Sequence, residues 1–340
     1  MLSTTAAGGA REALHRLGRG SLDPQGFLHE VSVIVRRTVP YDVSGWMTLD
    51  PDTMLSSGTL VSEKPAALDR ALWRNELQQD GDVDKLADLA RRPVPVAAVS
   101  DLDAATAAES PRIQQILRPA GIGDGLRVML RANGSSWGHG AIYRERGTRD
   151  FDSGERGFLA SIADEITEGL RRSLSRRPEP GAAVLVPGVV AFDAQSRIVS
   201  ATAEAHRLIA LMPGDATSTL YAVATAAACR DRASARVRLT DGRWLLAQGG
   251  RMHGAPNVSE GVTVTLVQAP RPDLTSLVLR LHALSARQRE VAELLISGPR
   301  TDQIAARLHI SHNTLHDHVK AIFAKLGVQG RAELMALVSD

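Results

Sequence analysis

The 340-residue sequence lacks several features, and each absence excludes a class of protein. Its single cysteine, Cys229, excludes an internal disulfide and a zinc site built on several cysteines. No apolar run approaches the roughly 18 residues of a membrane-spanning helix. The N-terminus also lacks the charged region and apolar core of a signal peptide. We therefore expect a cytoplasmic protein that makes no use of a membrane.

The sequence also lacks a strong charge of either sign. Its formal net charge is +2, and residues 271–340 carry nine Lys and Arg against seven Asp and Glu, again a difference of +2. Proteins that hold nucleic acid by bulk electrostatics carry clustered basic residues. Any binding of nucleic acid must therefore depend on a specific motif, and a dimer would compensate for modest affinity per domain.

Motifs of common catalytic sites are missing as well. There is no phosphate-binding loop of the Gly-x4-Gly-Lys-Ser/Thr type, and Gly121-Ile-Gly-Asp-Gly lacks the dinucleotide-binding spacing. His29-Glu30 is not followed by the second histidine of a zinc protease. No nucleophile, base and orienting group stand at a recognisable spacing. We predict no enzymatic activity, no cofactor and no metal site.

The most informative stretch is the C-terminal one, which predicts an all-α unit of four helices. Ser285 opens a capping box, and Thr301 and Ser311 offer side-chain oxygens to the two helices that follow. Glycines suited to a left-handed end conformation close the first and third helices: Gly298 and Gly327.

The third of these helices has two distinct faces. Apolar residues at spacings of four, three and four predict one buried face: Leu315, Val319, Ile322 and Leu326. The opposite face is polar and begins at the N-terminal end of the helix. This is the arrangement with which a helix-turn-helix enters a major groove. The alternative is a helical bundle whose third helix is simply solvated.

The order of residues goes beyond this pattern. Leu-Ser-x-Arg-x-x-Glu-Val, Gln-Ile-Ala-x-x-Leu, Ile-Ser-x-x-Thr-Leu-x-x-His-Val-Lys and Lys-Leu-Gly-Val follow one another between Leu284 and Leu337. This order resembles the LuxR-type helix-turn-helix, which implies binding to double-stranded DNA as a homodimer. The resemblance makes these the candidate DNA-binding residues, the last two as phosphate contacts: Thr301, Asn313, Thr314, His316, Asp317, Lys320, Lys325 and Arg331.

Two of these positions depart from the family pattern. His316 stands where most relatives have lysine, and Asp317 stands where they have a small or neutral residue. A carboxylate can accept a hydrogen bond from cytosine N4, but it repels phosphates.

Residues 10–175 predict an α+β unit, after a tail over 1–9 that we expect to be disordered. A helix pair precedes an antiparallel sheet with connecting helices, and a long helix closes the unit. The pieces Tyr41-Asp-x-x-Gly-Trp, Trp137-Gly-His-Gly and Arg149-Asp-Phe-Asp-x-x-Glu resemble a GAF domain. The resemblance implies a pocket between the sheet and the connecting helices.

Aromatic residues are the candidate ligand-binding groups of that pocket, because the whole sequence has only four Trp and three Tyr. The candidates in the GAF-like unit are Trp46, Trp73, Trp137 and Tyr143. A concave apolar site with a few polar groups suits a small molecule. The alternative is that these rings fill the hydrophobic core.

The rest of the chain divides at two stretches rich in proline. Residues 176–183 predict a linker. Residues 184–268 predict two strands, two helices and three strands, an order similar to a short PAS domain. Residues 269–276 predict a second linker, and 277–340 the helix-turn-helix domain. The predicted fold class is therefore multidomain, with an α+β GAF-like sensor, a small α+β PAS-like domain and an all-α C-terminal domain.

Two functional hypotheses follow for the front domains. They sense a small-molecule effector and bias dimeric DNA binding, or they serve only for dimerisation and protein docking. Two apolar faces are candidate dimer interfaces: the strip Leu334, Leu337 and Val338, and the face of the long helix from Phe158 to Leu170.

Overall fold

The computed structural model describes residues 4–176, 184–252 and 261–337. The chain is multidomain: two antiparallel sheets lie in an α+β N-terminal part, and a helix-turn-helix forms the C-terminal part. None of the described helices has the length and hydropathy needed to cross a bilayer.

The first sheet has five antiparallel strands in the order β2-β1-β5-β4-β3. The strands are β1 (Val43–Leu49), β2 (Ser56–Ser62), β3 (Val96–Ala98), β4 (Ile122–Ala132) and β5 (Ser135–Glu145). Its helices are α1 (Thr4–Gly18), α2 (Pro24–Thr38), α3 (Ala66–Gln78), α4 (Leu86–Arg91), α5 (Ala104–Glu109) and α6 (Ser153–Leu174), with a π-helical segment at Arg112–Leu117. α1, α2 and α6 form the layer on one face of the sheet, and α3, α4 and the π-helical segment form the layer on the other.

Local signals explain the helix starts in this unit. Asp23 caps α2 by accepting from the Gly26 N–H at 2.7 Å, and Pro24 occupies the first helical position. Asp152 and Glu155 form a complete capping box at the start of α6. The apolar face of α6 from Phe158 to Leu170 is buried in the core of the same unit, so it is not the dimer interface that its sequence suggested.

The expectation of a disordered tail over residues 1–9 is wrong for residues 4–9. They form the first turns of α1, where Ala7 and Ala10 are buried against the core under α6. Four of these six residues are threonine or glycine, which have low helix propensity, and tertiary packing of one face stabilises the helix here. Residues 1–3 lie outside the described residues.

The second sheet repeats the strand order of the first, as β7-β6-β10-β9-β8, again fully antiparallel. Its strands are β6 (Gly188–Phe192), β7 (Ile198–Ala201), β8 (Arg232–Arg238), β9 (Trp244–Met252) and β10 (Gly261–Gln268). Two helices precede β8: α7 (Ala203–Leu211) and α8 (Ala216–Arg230). The order of two strands, two helices and three strands is thus the predicted one.

α8 lies between the two units and is buried along nearly its whole length. One side contacts β8, β9 and β10, and the other contacts α3 and β2. Hydroxyl pairs join it to β2, with Ser56 3.1 Å from Thr219 and Thr59 3.1 Å from Ser218. β2 shows no apolar alternation in the sequence, because Ser56 and Thr59 are buried through hydroxyl pairs and not through apolar contacts.

Five helices make up the C-terminal part: α9 (Arg271–Leu281), α10 (Ala286–Ser297), α11 (Thr301–Arg307), α12 (His312–Leu326) and α13 (Arg331–Leu337). The predicted linker over 269–276 is wrong from residue 271 onward, because α9 begins there. Leu274, Leu277 and Leu281 of α9 are buried against the core of the first unit. Of the other predicted linker, over 176–183, residues 177–183 lie outside the described residues.

Candidate functional site

The local sequence fixes the start and end of α12. The Ser311 hydroxyl accepts from the Thr314 N–H at 3.1 Å, and Gly327 ends the helix at a positive φ of 63°. Leu315, Ile322 and Leu326 are buried in the core of the C-terminal part, and Val319 packs partly against it. This face holds α12 against α10 and α11.

The other face of α12 is open to solvent. The five residues predicted to face a DNA groove are all exposed: Asn313, Thr314, His316, Asp317 and Lys320. No described residue of the N-terminal part covers them. The helix therefore presents hydrogen-bonding groups of both polarities from a fixed backbone, as reading of base edges requires.

The predicted cap of α11 is wrong. Thr301 is the first residue of that helix, not its cap, and its side chain is exposed. The Gln303 side chain instead accepts from the backbone N–H of Arg300 at 3.1 Å. Thr301 is therefore free of a capping role, and its exposure is compatible with the predicted DNA contact.

Two of the predicted phosphate-contacting residues have partners inside the domain. Lys325 donates to the Ala283 carbonyl at 3.0 Å and to Gln288 at 2.8 Å. Arg331 donates to the carbonyls of Leu295 and Pro299 at 2.7 and 2.9 Å. These bonds tie α12 and α13 to the ends of α10. Both side chains therefore have a structural role, and their contact with phosphates stays a prediction.

Lys320 differs from Lys325 in this respect. Among the residues that the structure describes, its ammonium group has no hydrogen-bond or ion-pair partner, although it lies on the same helix. A free cation on the exposed face of α12 can neutralise a phosphate without breaking an internal contact.

Comparison with known proteins identifies this C-terminal part. The model of the family described as bacterial regulatory proteins, luxR family, matches residues 282–338. The spore germination protein GerE of Bacillus subtilis (strain 168) is 44% identical over 50 residues, which are 15% of this chain and 68% of GerE. The chain belongs to the luxR family of bacterial regulatory proteins.

The sequence similarity to longer luxR-family relatives covers only part of each protein. The probable transcriptional regulatory protein SgaR of Hyphomicrobium methylovorum is 47% identical over 57 residues, which are 17% of this chain. The chain spans 27% of the length of SgaR and 39% of a regulator from Aeromonas salmonicida. The resemblance to these relatives is therefore confined to a small part of the chain.

Solved structures give only a distant likeness. The crystal structure of Escherichia coli SdiA has a TM-score of 0.38 and 13% identity, covering 98% of this chain and 96% of SdiA. VqmA of Vibrio cholerae has a TM-score of 0.21 and 16% identity, covering 46% of this chain and 83% of VqmA. At these scores the likeness does not bear on what this luxR-family chain binds.

The four aromatic residues predicted to bind a ligand are divided between the two faces of the first sheet. Trp46 and Trp137 are fully buried in the core beneath α6. A register shift at Leu130 and Arg131 in the pairing of β4 with β5 accompanies this placement of Trp137. For these two indoles the structure favours the alternative, core packing.

Trp73 and Tyr143 lie on the opposite face and line a small cavity beneath α3. They are the only two of the four that the structure brings together at a common site. No sequence signal indicated the polar residues beside them, which come from one loop and four separate elements: Lys64, Glu76, Arg112, Arg127 and His139. No short-range spacing joins these positions, so only the tertiary fold could bring them together.

Proposed function

We propose that this luxR-family chain is a sequence-specific DNA-binding transcription regulator that places α12 in the major groove. The observation that carries the proposal is the two-faced structure of α12, with Leu315 and Ile322 anchored inward and Asn313 and Lys320 free outward. In this arrangement Asn313 suits adenine recognition, since an amide can pair with N6 and N7 together. Lys320, two turns further on, suits a phosphate contact.

The two N-terminal units, in this proposal, are GAF-like and PAS-like domains that control the position of the DNA-binding part. Their shared strand order supports a common α+β type. Arg171, buried in α6, donates to the carbonyls of Arg280 and Leu281 at the end of α9, at 2.9 and 2.7 Å. A change in the first unit therefore has a direct route to the start of the helix-turn-helix.

Dimerisation belongs to the same proposal, but through a different surface from those predicted. Leu334 is fully buried in its own domain, Leu337 is partly buried, and Val338 lies outside the described residues. Among the described residues nine large hydrophobic side chains are exposed, and five of them lie on β6 and β7 or just before β6: Val184, Val186, Val189, Ile198 and Val199. β7 is an edge strand with one unpaired side, which can pair with the same strand of a second copy.

DNA selected from a genomic library by the full chain provides the probe for the main test. We expect the Lys320→Ala variant to weaken binding and to reduce the slope of log affinity against log salt by about one. Lys325→Ala removes the same charge from the same helix and serves as the matched control. Because Lys325 donates hydrogen bonds inside the domain, the Lys325→Ala variant should change the slope of log affinity against log salt clearly less than Lys320→Ala does. Equal slopes for the two variants would contradict the proposed docking of α12.

Asn313→Ala tests base recognition separately. We expect it to cost about 1–3 kcal/mol on the selected sequence and to leave binding to unrelated DNA nearly unchanged. A uniform loss on all sequences would place Asn313 on the phosphate backbone.

The oligomeric state tests the dimer surface. We expect Val199→Glu to shift the chain from dimer to monomer in light scattering after size-exclusion chromatography. Val94→Glu, an equally exposed valine in the first unit, is the matched control. A monomeric wild-type chain, or a dimer that survives Val199→Glu, would exclude this edge as the interface.

A further inference from the structure

A cavity of about 30 Å³ lies between the first sheet and α3, and several charged side chains belong to its lining. Five of the twelve lining residues carry a charge: Lys64, Asp69, Glu76, Arg112 and Arg127. All five come from inside the first unit. Charged groups taken out of water need partners, so their pairing shows what the cavity can accept.

Three N–H donors at this cavity have no hydrogen-bond partner among the described residues: Trp73 Nε1, Arg112 Nε and His139 Nδ1. The donor assignment of the histidine follows from its neighbour. Arg127 Nε donates to His139 Nε2 at 3.0 Å, so Nε2 must be the acceptor and the proton of the neutral ring lies on Nδ1. All three groups therefore offer a hydrogen and none offers a lone pair.

An unpaired indole is not sufficient evidence by itself. Trp46 and Trp137 also lack a partner for Nε1 among the described residues, yet both lie in the apolar core and neither lines this cavity. What distinguishes the cavity is the convergence of an indole with an imidazole and a guanidinium. A buried cation without a partner is the costliest of the three to leave unsatisfied.

The charges do not balance. Lys64 is paired with Asp69 at 2.7 Å, and Arg127 lies 3.7 Å from Glu76. Arg112 makes no ion pair within the described part of the chain, which leaves one surplus positive charge at the cavity.

The surplus charge acts on its neighbours. Burial, followed by the charge of Arg112, lowers the pKa of Arg127 to about 10. Burial, followed by the charges of Arg127, Arg112 and Lys64, lowers the pKa of His139 well below its usual range. An anion would offset the repulsion between the cations, which is the second cause in both cases, and would leave the effect of burial in place.

Acidic groups outside the lining do not provide this compensation. Asp82 already accepts from the Asn75 amide, the Ser110 hydroxyl and the Arg112 backbone N–H. Asp84 is paired with Arg92 at 2.5 Å. Both carboxylates are therefore committed elsewhere.

We propose that this cavity binds a small monovalent oxyanion, held by Arg112 Nε, His139 Nδ1 and Trp73 Nε1. The volume of about 30 Å³ corresponds to roughly two water-sized spheres, far below the several hundred Å³ of a typical ligand pocket. It suits an inorganic oxyanion or a short carboxylate such as formate. A neighbouring cleft of about 420 Å³ shares Trp73, Glu76 and Leu86 with the cavity and gives a longer carboxylate room for its chain.

The bound anion has a route to the second unit. Asp69, which pairs with Lys64 at the cavity, also accepts from the Ser218 hydroxyl in α8. Arg74 of α3 donates to the Tyr221 hydroxyl of α8 at 3.1 Å. Any effect of the anion on DNA binding rests on the proposed function, whereas binding of the anion itself does not.

Thermal unfolding of the full chain at constant ionic strength tests the binding. Sodium formate, acetate and nitrate are titrated against sodium pivalate, whose three methyl groups next to the carboxylate keep that carboxylate out of the cavity, and formamide serves as the uncharged analogue of formate. We expect a saturable rise in melting temperature with at least one small anion and none with formamide or pivalate. The anion that binds most tightly distinguishes an inorganic oxyanion from a short carboxylate, and acetate reports on use of the outer cleft.

Two variants assign the response to this cavity. Arg112→Gln removes the surplus charge, so we expect at least a tenfold loss of affinity and, without anion, a melting temperature no lower than that of the wild type. Trp73→Phe removes one donor and keeps the ring, so we expect a several-fold loss. Trp137→Phe, an equally buried indole on the other face of the sheet, should bind the anion as the wild type does. If Arg112→Gln does not fold, the contrast between the two tryptophan variants decides.

The proposal is overturned if no small anion stabilises the wild type, or if Trp73→Phe and Trp137→Phe respond equally. Anisotropy with labelled DNA is measured separately on the same samples. Anion binding without DNA binding would contradict the proposed function alone, and DNA binding without anion binding would contradict this inference alone.

Discussion

We expect substitution of Asp50 to weaken the contact between the two sheets strongly, with a lower free energy of unfolding as the result. Its carboxylate accepts from Arg236 Nη2 at 2.6 Å and from Nε and the backbone N–H at 2.8 Å each. Both side chains are buried, with 2% and 7% of their surface exposed. Asp52, two residues on, joins the same Arg236 to Arg280 of α9 at 2.5 and 2.6 Å. One turn of the first unit therefore contacts both the second sheet and the helix that leads to the helix-turn-helix.

The expected effect of Asp50→Asn follows from what remains around Arg236. Removing one member of a buried ion pair costs about 3–5 kcal/mol, because the other charge stays buried. Here Arg236 keeps Asp52 and the Asp273 carbonyl as partners, so we expect the lower end of that range, about 3 kcal/mol. Asp52→Asn is the control. Its carboxylate is about half exposed, so its loss should cost about 1 kcal/mol or less.

Urea unfolding followed by circular dichroism and tryptophan fluorescence measures both variants. Because Asp50 joins two units, we expect its variant to unfold the second sheet at a lower urea concentration than the first. The fluorescence of Trp244, in β9, would report this earlier transition. A free energy of unfolding within about 1 kcal/mol of the wild type, with coincident transitions, would refute the view that this pair holds the units together.

The other predictions concern the first unit. Burial alone would raise the pKa of Glu155, but hydrogen bonds led by Arg144 hold it at about 2, below the ordinary 4.5. This pair should contribute roughly 3 kcal/mol above pH 4.5 and lose it as pH falls towards 2. Acid titration of Glu155→Gln, which should lack that component, checks this. Gly140→Ala should cost about 2 kcal/mol or more in thermal unfolding, because its Cβ would lie 2.4 Å from the Trp46 ring. Gly157→Ala, in open space on α6, should cost nothing.

The sequence alone predicts where α12 begins and ends and which face it buries, because the residues that determine these features lie close together in the chain. The Ser311 cap, the terminal Gly327 and the apolar face led by Leu315 act within a few residues of one another. Propensity, capping and periodicity therefore agree on one structure. The polar face of α12 is the side that does not pack against the core. The exposure of Asn313 and Lys320 was predictable for that reason.

Only the tertiary structure could decide the roles of side chains whose partners are distant in sequence. Lys325 and Arg331 looked like free cations, but carbonyls at the ends of α10 occupy them. The cavity of Arg112 and His139 has no local signature, since β-sheet pairing and a π-helical segment bring the two together across 27 positions of sequence. A sequence specifies which side chains need hydrogen-bond or ion-pair partners, whereas the packing of helices and strands determines which partners lie within reach. That is why the two faces of α12 could be predicted from the sequence and the polar cavity could not.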